Sequence, residues 1–292
     1  MSLIRILVTT EVTLTHTFYV DETPTDASGA VTVTIKRLDG TTVVSGSATQ
    51  PGPAGVYAFV VPEQATVDTL TVDWSGSLAG AIVSVRDYVE VAGGFLFGLA
   101  EARAAHPGLA NTTDYPSTRL AAKRLEVEQE CERICRRAFV PRFNRATLSG
   151  NDTDRLPIPN TDGRGSEIRA VRAVSIDGTA WSAPDVAALG FTDFGIIKRP
   201  GGALWPAGTG NIVVEYEHGL DYPPSELSEA AILRLRSRIA MPMSGVPDRA
   251  VSFTVTEGGT FRLSMPGKQL TGVPDVDAVY ERHTRQQRAV FA

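Results

Sequence analysis

Between residues 117 and 139 the chain reads STRLAAKRLEVEQECERICRRAF, and its apolar positions recur at spacings of three, four and seven. Leu120, Val127, Cys131, Ile134, Cys135 and Ala138 form one stripe, the period of a helix with a single buried face. Lys123, Arg124, Glu126, Glu128, Glu130, Glu132, Arg133, Arg136 and Arg137 fill much of the remaining surface. Pro116 and Ser117 mark the start and Pro141 the stop, so the pattern predicts one long helix running to Phe139. Basic residues crowd its last turn, where the helix dipole favours positive charge.

Upstream the period is two. LIRILV, EVTLTHTFYV, AVTVTIKRL, GVYAFVV, VDTLTVDW and AIVSVRDYVEV are separated by turns rich in Pro, Gly, Asp and Ser. Val31, Val33 and Ile35 alternate with Thr32, Thr34 and Lys36, which sends the first set inward. Roughly seven short strands at intervals of about ten residues predict a β-sandwich of immunoglobulin-like type over residues 1–92. Trp74 has the size of a core residue there. The pair Gly93-Gly94 marks a boundary, because glycines are costly to order.

Residues 93–292 then read as a second domain. A short helix ending at His106-Pro107 precedes the long one, and glycine-punctuated strands follow Pro141, with a tight turn at Asp177-Gly178. A second long helix follows Pro223-Pro224, with Ser225 as cap, Leu227, Ala231, Leu235 and Ile239 as its stripe, and Pro242 as stop. Residues 251–265 alternate as a hairpin with its turn at 257–260. A last helix runs from Asp275, placed to cap it, to about Gln287. The expected class is α+β: an N-terminal sandwich, then a helical domain with an inserted small sheet and a hairpin.

Composition adds limits. Hydrophobic residues are 42% and charged residues 21%, ordinary for a folded chain. No apolar run approaches the ~18 residues a spanning helix needs. The opening MSLIRILVTTEV is too weak for a secretion signal, which predicts synthesis in the cytoplasm. Residues 1–92 carry four basic against ten acidic side chains, whereas 93–292 are nearly balanced. Neither part has the basic excess of a protein that grips phosphates. The basic cluster Arg133, Arg136, Arg137, Arg142 and Arg145 reads as a helix end paired with acids.

Chemistry is sparse. Cys131 and Cys135 lie one turn apart on the apolar stripe, and His16, His106, His218 and His283 are scattered singly, so no metal set forms. Phosphate-loop, dinucleotide, nucleophile-elbow and zincin motifs are absent. His218 lies near Glu215, Glu217 and Asp221, the one acid/base candidate, but sequence neighbours on an extended strand cannot all face one point. No cofactor, metal or catalytic residue is assigned, and the expectation is a protein that is not an enzyme.

Three stretches carry a resemblance: C-x-R-x-F-x-P from Cys135 to Pro141, V-x-Y-x-H-G-x-x-x-P-P-x-x-L-x-x-A from Val214 to Ala230, and V-P-D-V-D-A from Val273 to Ala278. With the order short helix, long helix, small sheet, helix, hairpin, helix, residues 95–292 resemble the head-to-tail connector (head completion or adaptor) proteins of long-tailed bacteriophages. The sandwich would be an added domain, peripheral to the ring. The resemblance implies a ring of about twelve copies closed by one repeated contact, lying in the virion neck and lining the channel for double-stranded DNA. Partners would be copies of itself, the portal protein and a tail-side neck or terminator protein. No membrane is involved.

The hairpin residues Val251, Phe253, Val255, Phe261 and Leu263 are expected at the neighbour contact, since a hairpin alone is marginal and strand addition would complete it. Arg282, Arg285, Arg288, Val290 and Phe291 are expected at the portal, and deletion of 275–292 should leave a folded chain that fails to join it. Two rivals predict otherwise. A carbohydrate-binding adhesin needs an exposed aromatic platform from Trp74, Tyr57 or Phe59, and an enzyme needs His218 accessible beside its carboxylates.

Overall fold

In the computed structural model, which describes residues 3–159, 165, 167–240, 252–255, 259–262 and 270–285, the chain opens with nine strands. They are β1 (Leu3–Leu7), β2 (Val12–Thr17), β3 (Tyr19–Val20), β4 (Thr23–Pro24), β5 (Thr32–Arg37), β6 (Thr42–Ser47), β7 (Val56–Val61), β8 (Asp68–Leu78) and β9 (Ala81–Ala92). Five pair in the order β1-β9-β8-β5-β6, while β2 with β7 and β3 with β4 form two-stranded ribbons. β1 runs parallel to β9, and the other pairs of the large sheet are antiparallel.

Alternation builds the layers. Val33, Ile35, Leu70, Val72, Trp74, Val89 and Val91 share one core with Leu14 of β2 and with Tyr57 and Val61 of β7. The ribbon β2-β7 therefore covers one face of the five-stranded sheet, as period-two burial requires. The inward set Val31, Val33 and Ile35 is buried, and so is Trp74. Strand β6 escapes the sequence pattern because it is an edge, with Val43 and Val44 adjacent and each only half-buried.

The rest comprises α1 (Leu99–Ala105), α2 (Ser117–Cys135), β10 (Arg142–Gly150), β11 (Arg155–Pro157), β12 (Ile168–Ile176), β13 (Thr179–Ala180), α3 (Ala183–Ala187), β14 (Gly190–Phe191), β15 (Ile196–Lys198), β16 (Gly208–His218), α4 (Ser225–Ala240), β17 (Ser252–Val255), β18 (Gly259–Arg262) and α5 (Pro274–His283). The sheets β10-β16-β12-β13 and β11-β15-β14 enclose a core around Leu156, Ile197, Trp205 and Tyr216. Helices α1, α2, α4 and α5 enclose another, where Leu120, Val127, Cys131 and Cys135 meet Leu227, Leu235, Ile239, Val276 and Tyr280. The class is α+β, and both predicted helical stripes pack into the core, Ile134 at its margin, except Ala138, which lies beyond the end of α2.

Helix ends differ from the pattern in three places. α2 stops at Cys135 because Arg136 adopts φ 55°, a left-handed cap, four residues before the expected end at Phe139. Pro224 rather than Ser225 precedes α4, its carbonyl accepting from the Ser228 amide at 3.1 Å. Asp275 lies inside the first turn of α5; Asp277 instead holds the preceding turn, accepting from the Thr271 amide at 2.9 Å. The hairpin pairs Phe253 with Phe261, Thr254 with Thr260 and Val255 with Gly259, so Gly259 and Thr260 are strand residues and not part of the turn. Short helix α3 was hidden because Ala183-Pro184-Asp185 shows no apolar period; Ser182 caps it.

Gly93 and Gly94 are not a loose linker. A Cβ on Gly93 would lie 2.7 Å from Cβ and Cγ of Pro141, and one on Gly94 3.3 Å from Val140. The Gly93 amide also donates to the Pro141 carbonyl at 2.8 Å. Glycine is needed here for close approach of two backbones.

Candidate functional site

The polar residues of α2 are only in part solvated: Arg119, Gln129 and Arg133 are exposed. Glu128, Glu130, Glu132 and Arg124 are all buried along with its apolar stripe. Two carboxylate pairs at i,i+4 spacing, Glu128/Glu132 and Glu126/Glu130, are held by arginines from different elements.

The first clasp joins α2 to the N-terminal sheet. Arg5 of β1 donates from Nε to Glu90 of β9 at 2.9 Å, pairs with Glu128, and lies 3.7 Å from Glu132. Arg142 of β10 pairs with both Glu90 and Glu132. The other oxygen of Glu128 accepts from the Leu96 amide at 2.8 Å. Beside the cluster lies a cavity of about 320 Å³ lined by Gln129, Arg133, Asn144 and His218 among others. The contact continues along the end of the sheet. Arg145 donates to the Leu38 carbonyl in the β5–β6 turn, and Arg172 of β12 donates to the Val67 carbonyl at 2.7 Å while pairing with Glu217 at 2.6 Å.

The second clasp joins α2 to α4. Arg234 donates to both oxygens of Glu130, at 2.8 and 3.0 Å, the fork geometry in which guanidinium binds carboxylate best. Arg238, one turn on, reaches Glu130 at 2.9 Å and Glu126 at 3.1 Å. Further along, the Cys131 and Cys135 sulfurs are 4.0 Å apart, both buried thiols, and Cys135 donates to the Tyr280 carbonyl of α5 at 3.5 Å.

Electrostatics separate the members. Burial raises the Glu90 carboxyl, but Arg142 and Arg5 outweigh it and bring its pKa down to about 2. Glu132 goes the other way: burial dominates, Arg142 and Arg5 offset it only in part, and its pKa is raised. The like charges of Glu90 and Glu128 raise Glu132 further, and Arg5 stands 2.9 Å from Glu90 but 3.7 Å from Glu132. Burial opposes the Arg5 charge, and Glu90, Glu132 and Glu128 together hold its pKa above the usual value. Glu130 is lowered, burial being outweighed by hydrogen bonds from Arg234 and Arg238. Burial raises the Cys131 thiol, which makes it a poor nucleophile.

Of the residues expected at the neighbour contact, Phe253, Val255 and Phe261 lie in β17 and β18, while Val251 and Leu263 fall outside the described residues. Among the described residues neither hairpin strand pairs with any other strand. Of those expected at the portal, Arg282 reaches Glu226 at 2.6 Å on the surface. Arg285 is drawn inward: its amide donates to the Cys135 carbonyl at 2.9 Å and its guanidinium pairs with Glu167 at 2.6 Å, a carboxylate shared with Arg137. Arg288, Val290 and Phe291 lie outside the described residues. Val276 and Tyr280 of α5 are fully buried, so removing 275–292 would open the helical core; the expectation that such a chain stays folded is corrected.

His218 is buried at 4% exposure, and the three nearby acids are held by arginines: Glu215 by Arg145, Glu217 by Arg172 and Asp221 by Arg169. They do not converge on the imidazole. Among the described residues no cluster of His, Cys, Asp or Glu has the arrangement of a metal site, and no helix is long and apolar enough to cross a membrane. Trp74 and Tyr57 are core residues and Phe59 is half-buried, so these three do not make an exposed platform.

The clasps were missed by periodicity, which scores a charged residue as outward. A signal existed nevertheless. Arg5 interrupts the apolar run LIRIL, and Arg234/Arg238 repeat the i,i+4 spacing of Glu126/Glu130 with opposite charge.

The three motif stretches prove to be neighbours. The Leu220 amide donates to the Ala138 carbonyl at 3.3 Å, and a Cβ on Gly219, whose φ is +100°, would lie 2.1 Å from the Val140 carbonyl oxygen. Phe139, Leu227 and Val276 are each at 0% exposure in one core. No family model matches the chain, and no curated protein matches it. Among solved structures, a chain in the neck of a native GTA (gene transfer agent) particle, computed with C12 symmetry, is 16% identical and covers 63% of this chain and 91% of its own length, with a TM-score of 0.40. A chain in the neck of an empty GTA particle, computed with C6 symmetry, is 17% identical and covers 67% and 93%, with a TM-score of 0.44. Likeness at this level carries no assignment.

Proposed function

We propose that the chain is a structural subunit of the neck of a tailed-phage-type particle, one copy in a closed ring between portal and tail whose centre continues the DNA channel. It works by surfaces and not by catalysis, and residues 1–92, read as an immunoglobulin-like sandwich, form an accessory domain on the connector body 93–292. The reading is supported by the way Cys135–Pro141, Val214–Ala230 and Val273–Ala278, the stretches that carry the connector resemblance, pack together around α2, α4 and α5. A motif whose residues hold a helical body together is a structural motif, as a connector requires and an active site does not.

The hairpin is the neighbour contact in this reading. A two-stranded sheet leaves two edges of unpaired backbone groups, and strand addition by an adjacent copy satisfies them. For the portal contact this reading keeps Arg282, Arg288, Val290 and Phe291: Arg282 pairs with Glu226 but stays on the surface, whereas Arg285 is drawn inward to Glu167. The test is a chain in which residues 252–262 are replaced by a short Gly-Ser link, sized alone and with a portal protein. It should keep its circular dichroism spectrum and remain monomeric where the full chain forms rings. Rings of unchanged size from the shortened chain would overturn the assignment of the hairpin.

A further inference from the structure

We infer that residues 3–92 do not swing on a tether but are locked at one angle to α2, so that the chain enters any assembly as a single wedge, with Arg5, Arg142, Arg145 and Arg172 as the positioning residues. The inference does not depend on the ring reading.

In the sheet order β1-β9-β8-β5-β6, ties to the rest of the chain recur along the sheet, to α2 at one edge and otherwise to the α2–β10 segment, β10 and β12. β1 is held through Arg5 to Glu128, and β9 through Glu90 to Arg142 and through Gly93 to Pro141. The start of β8 is held through the Val67 carbonyl to Arg172, and the β5–β6 turn through the Leu38 carbonyl to Arg145. Strands lie about 4.8 Å apart, so these ties span three spacings, or roughly 14 Å. One tie permits rotation in every direction, and a row of ties permits only a hinge about that row. The clasp then restrains the hinge, because Glu128 and Glu132 stand one turn apart on α2, and Arg5 and Arg142 between them reach both.

Chemistry points the same way. A buried ion cluster adds little net stability over an apolar contact of equal volume, but it is strict about geometry: any rotation leaves a charge buried and unpaired. An apolar patch would let the two bodies slide. Here Arg5, Glu128, Glu132 and Arg142 are all under 9% exposed, so a tilt that parted Arg5 from Glu128 would leave that carboxylate buried without its guanidinium. Pro141 against Gly93 leaves no room for the same motion, since even a methyl group would clash there.

Pulsed electron–electron resonance between spin labels tests this on the full chain. Labels go on Ile82→Cys in the β domain and Glu229→Cys on α4, both exposed, while Cys131 and Cys135 are at 0% exposure and stay unlabelled. The otherwise unaltered chain should give one narrow distance peak. Adding Arg5→Gln and Arg142→Gln should broaden it at least twofold, while a control pair inside the β domain, Ile82→Cys with Glu63→Cys, stays narrow. If the control pair also broadens, Arg5→Lys is measured instead. It keeps the charge but loses the fork that reaches two carboxylates, and the same broadening is expected. A broad peak in the starting protein, or a peak as narrow as the starting one in whichever variant keeps its control pair narrow, would overturn the inference.

Discussion

The two clasps on α2 use the same residue types at the same spacing and do different work. The clasp to α4 lies between two packed helices and is partly wet, with Arg238 and Glu126 side chains 29% and 42% exposed. The clasp to the β domain is drier, with Arg5, Glu128 and Arg142 side chains at 3%, 1% and 5% and Glu132 and Glu90 at 10% and 14%. The wet clasp trims an interface that Leu227, Ala231 and Leu235 already secure. Among the described residues the apolar clusters of the β domain and of the helices are separate, so the dry clasp, with the ties at Gly93, Arg145 and Arg172, carries the contact between the β domain and the rest of the chain. Charge pairs of equal appearance therefore differ in consequence by their access to water.

The comparison breaks first at Arg142. Arg142→Met leaves Glu132 buried with only a distant Arg5, and urea unfolding should show a loss of about 3–5 kcal/mol, the range for removing one partner of a buried pair. Acid should act next. Glu90 has a folded pKa of about 2 against 4.5, so its contribution is present above pH 4.5 and lost as pH falls toward 2, an effect of about 3 kcal/mol. Glu130 is also lowered and loses its contribution over the same direction of pH. Glu132 is raised, so its ionisation costs stability as pH rises through its folded value, and acidification returns that cost. A pH series of unfolding midpoints should thus fall steeply only below about pH 4.5, and Glu90→Gln should flatten the fall.

Smaller effects belong to the wet clasp. Arg234→Met removes the bidentate partner of Glu130 but leaves Arg238, and should cost roughly 2 kcal/mol. Arg238→Ala, partly solvated, should cost under ~1 kcal/mol. A cost for Arg238→Ala equal to that of Arg142→Met would abolish the distinction between the clasps.

Apolar periodicity made the helical stripes of α2 and α4 and the inward face of β5 legible, because those residues face oil on one side only. It failed for α2's other faces, where burial is achieved by pairing charges rather than excluding them. It read Gly93-Gly94 as a boundary but gave no sign of the close approach to Val140 and Pro141 there. The hairpin was legible in outline, and its register places Gly259 opposite Val255. His218 was legible only as a choice between a turn residue and an acid/base group; it is the buried last residue of β16, and its acidic neighbours are paired with arginines. Arg285 gave no warning of its inward role, since a terminal arginine looks the same whether it meets solvent, a partner or Glu167.

The proposed function stands or falls on assembly, and native mass measurement of the purified chain, alone and mixed with a portal protein, reads it directly. A closed ring of one fixed copy number on the portal is the expected result. A chain that stays monomeric and unbound in both samples would contradict it.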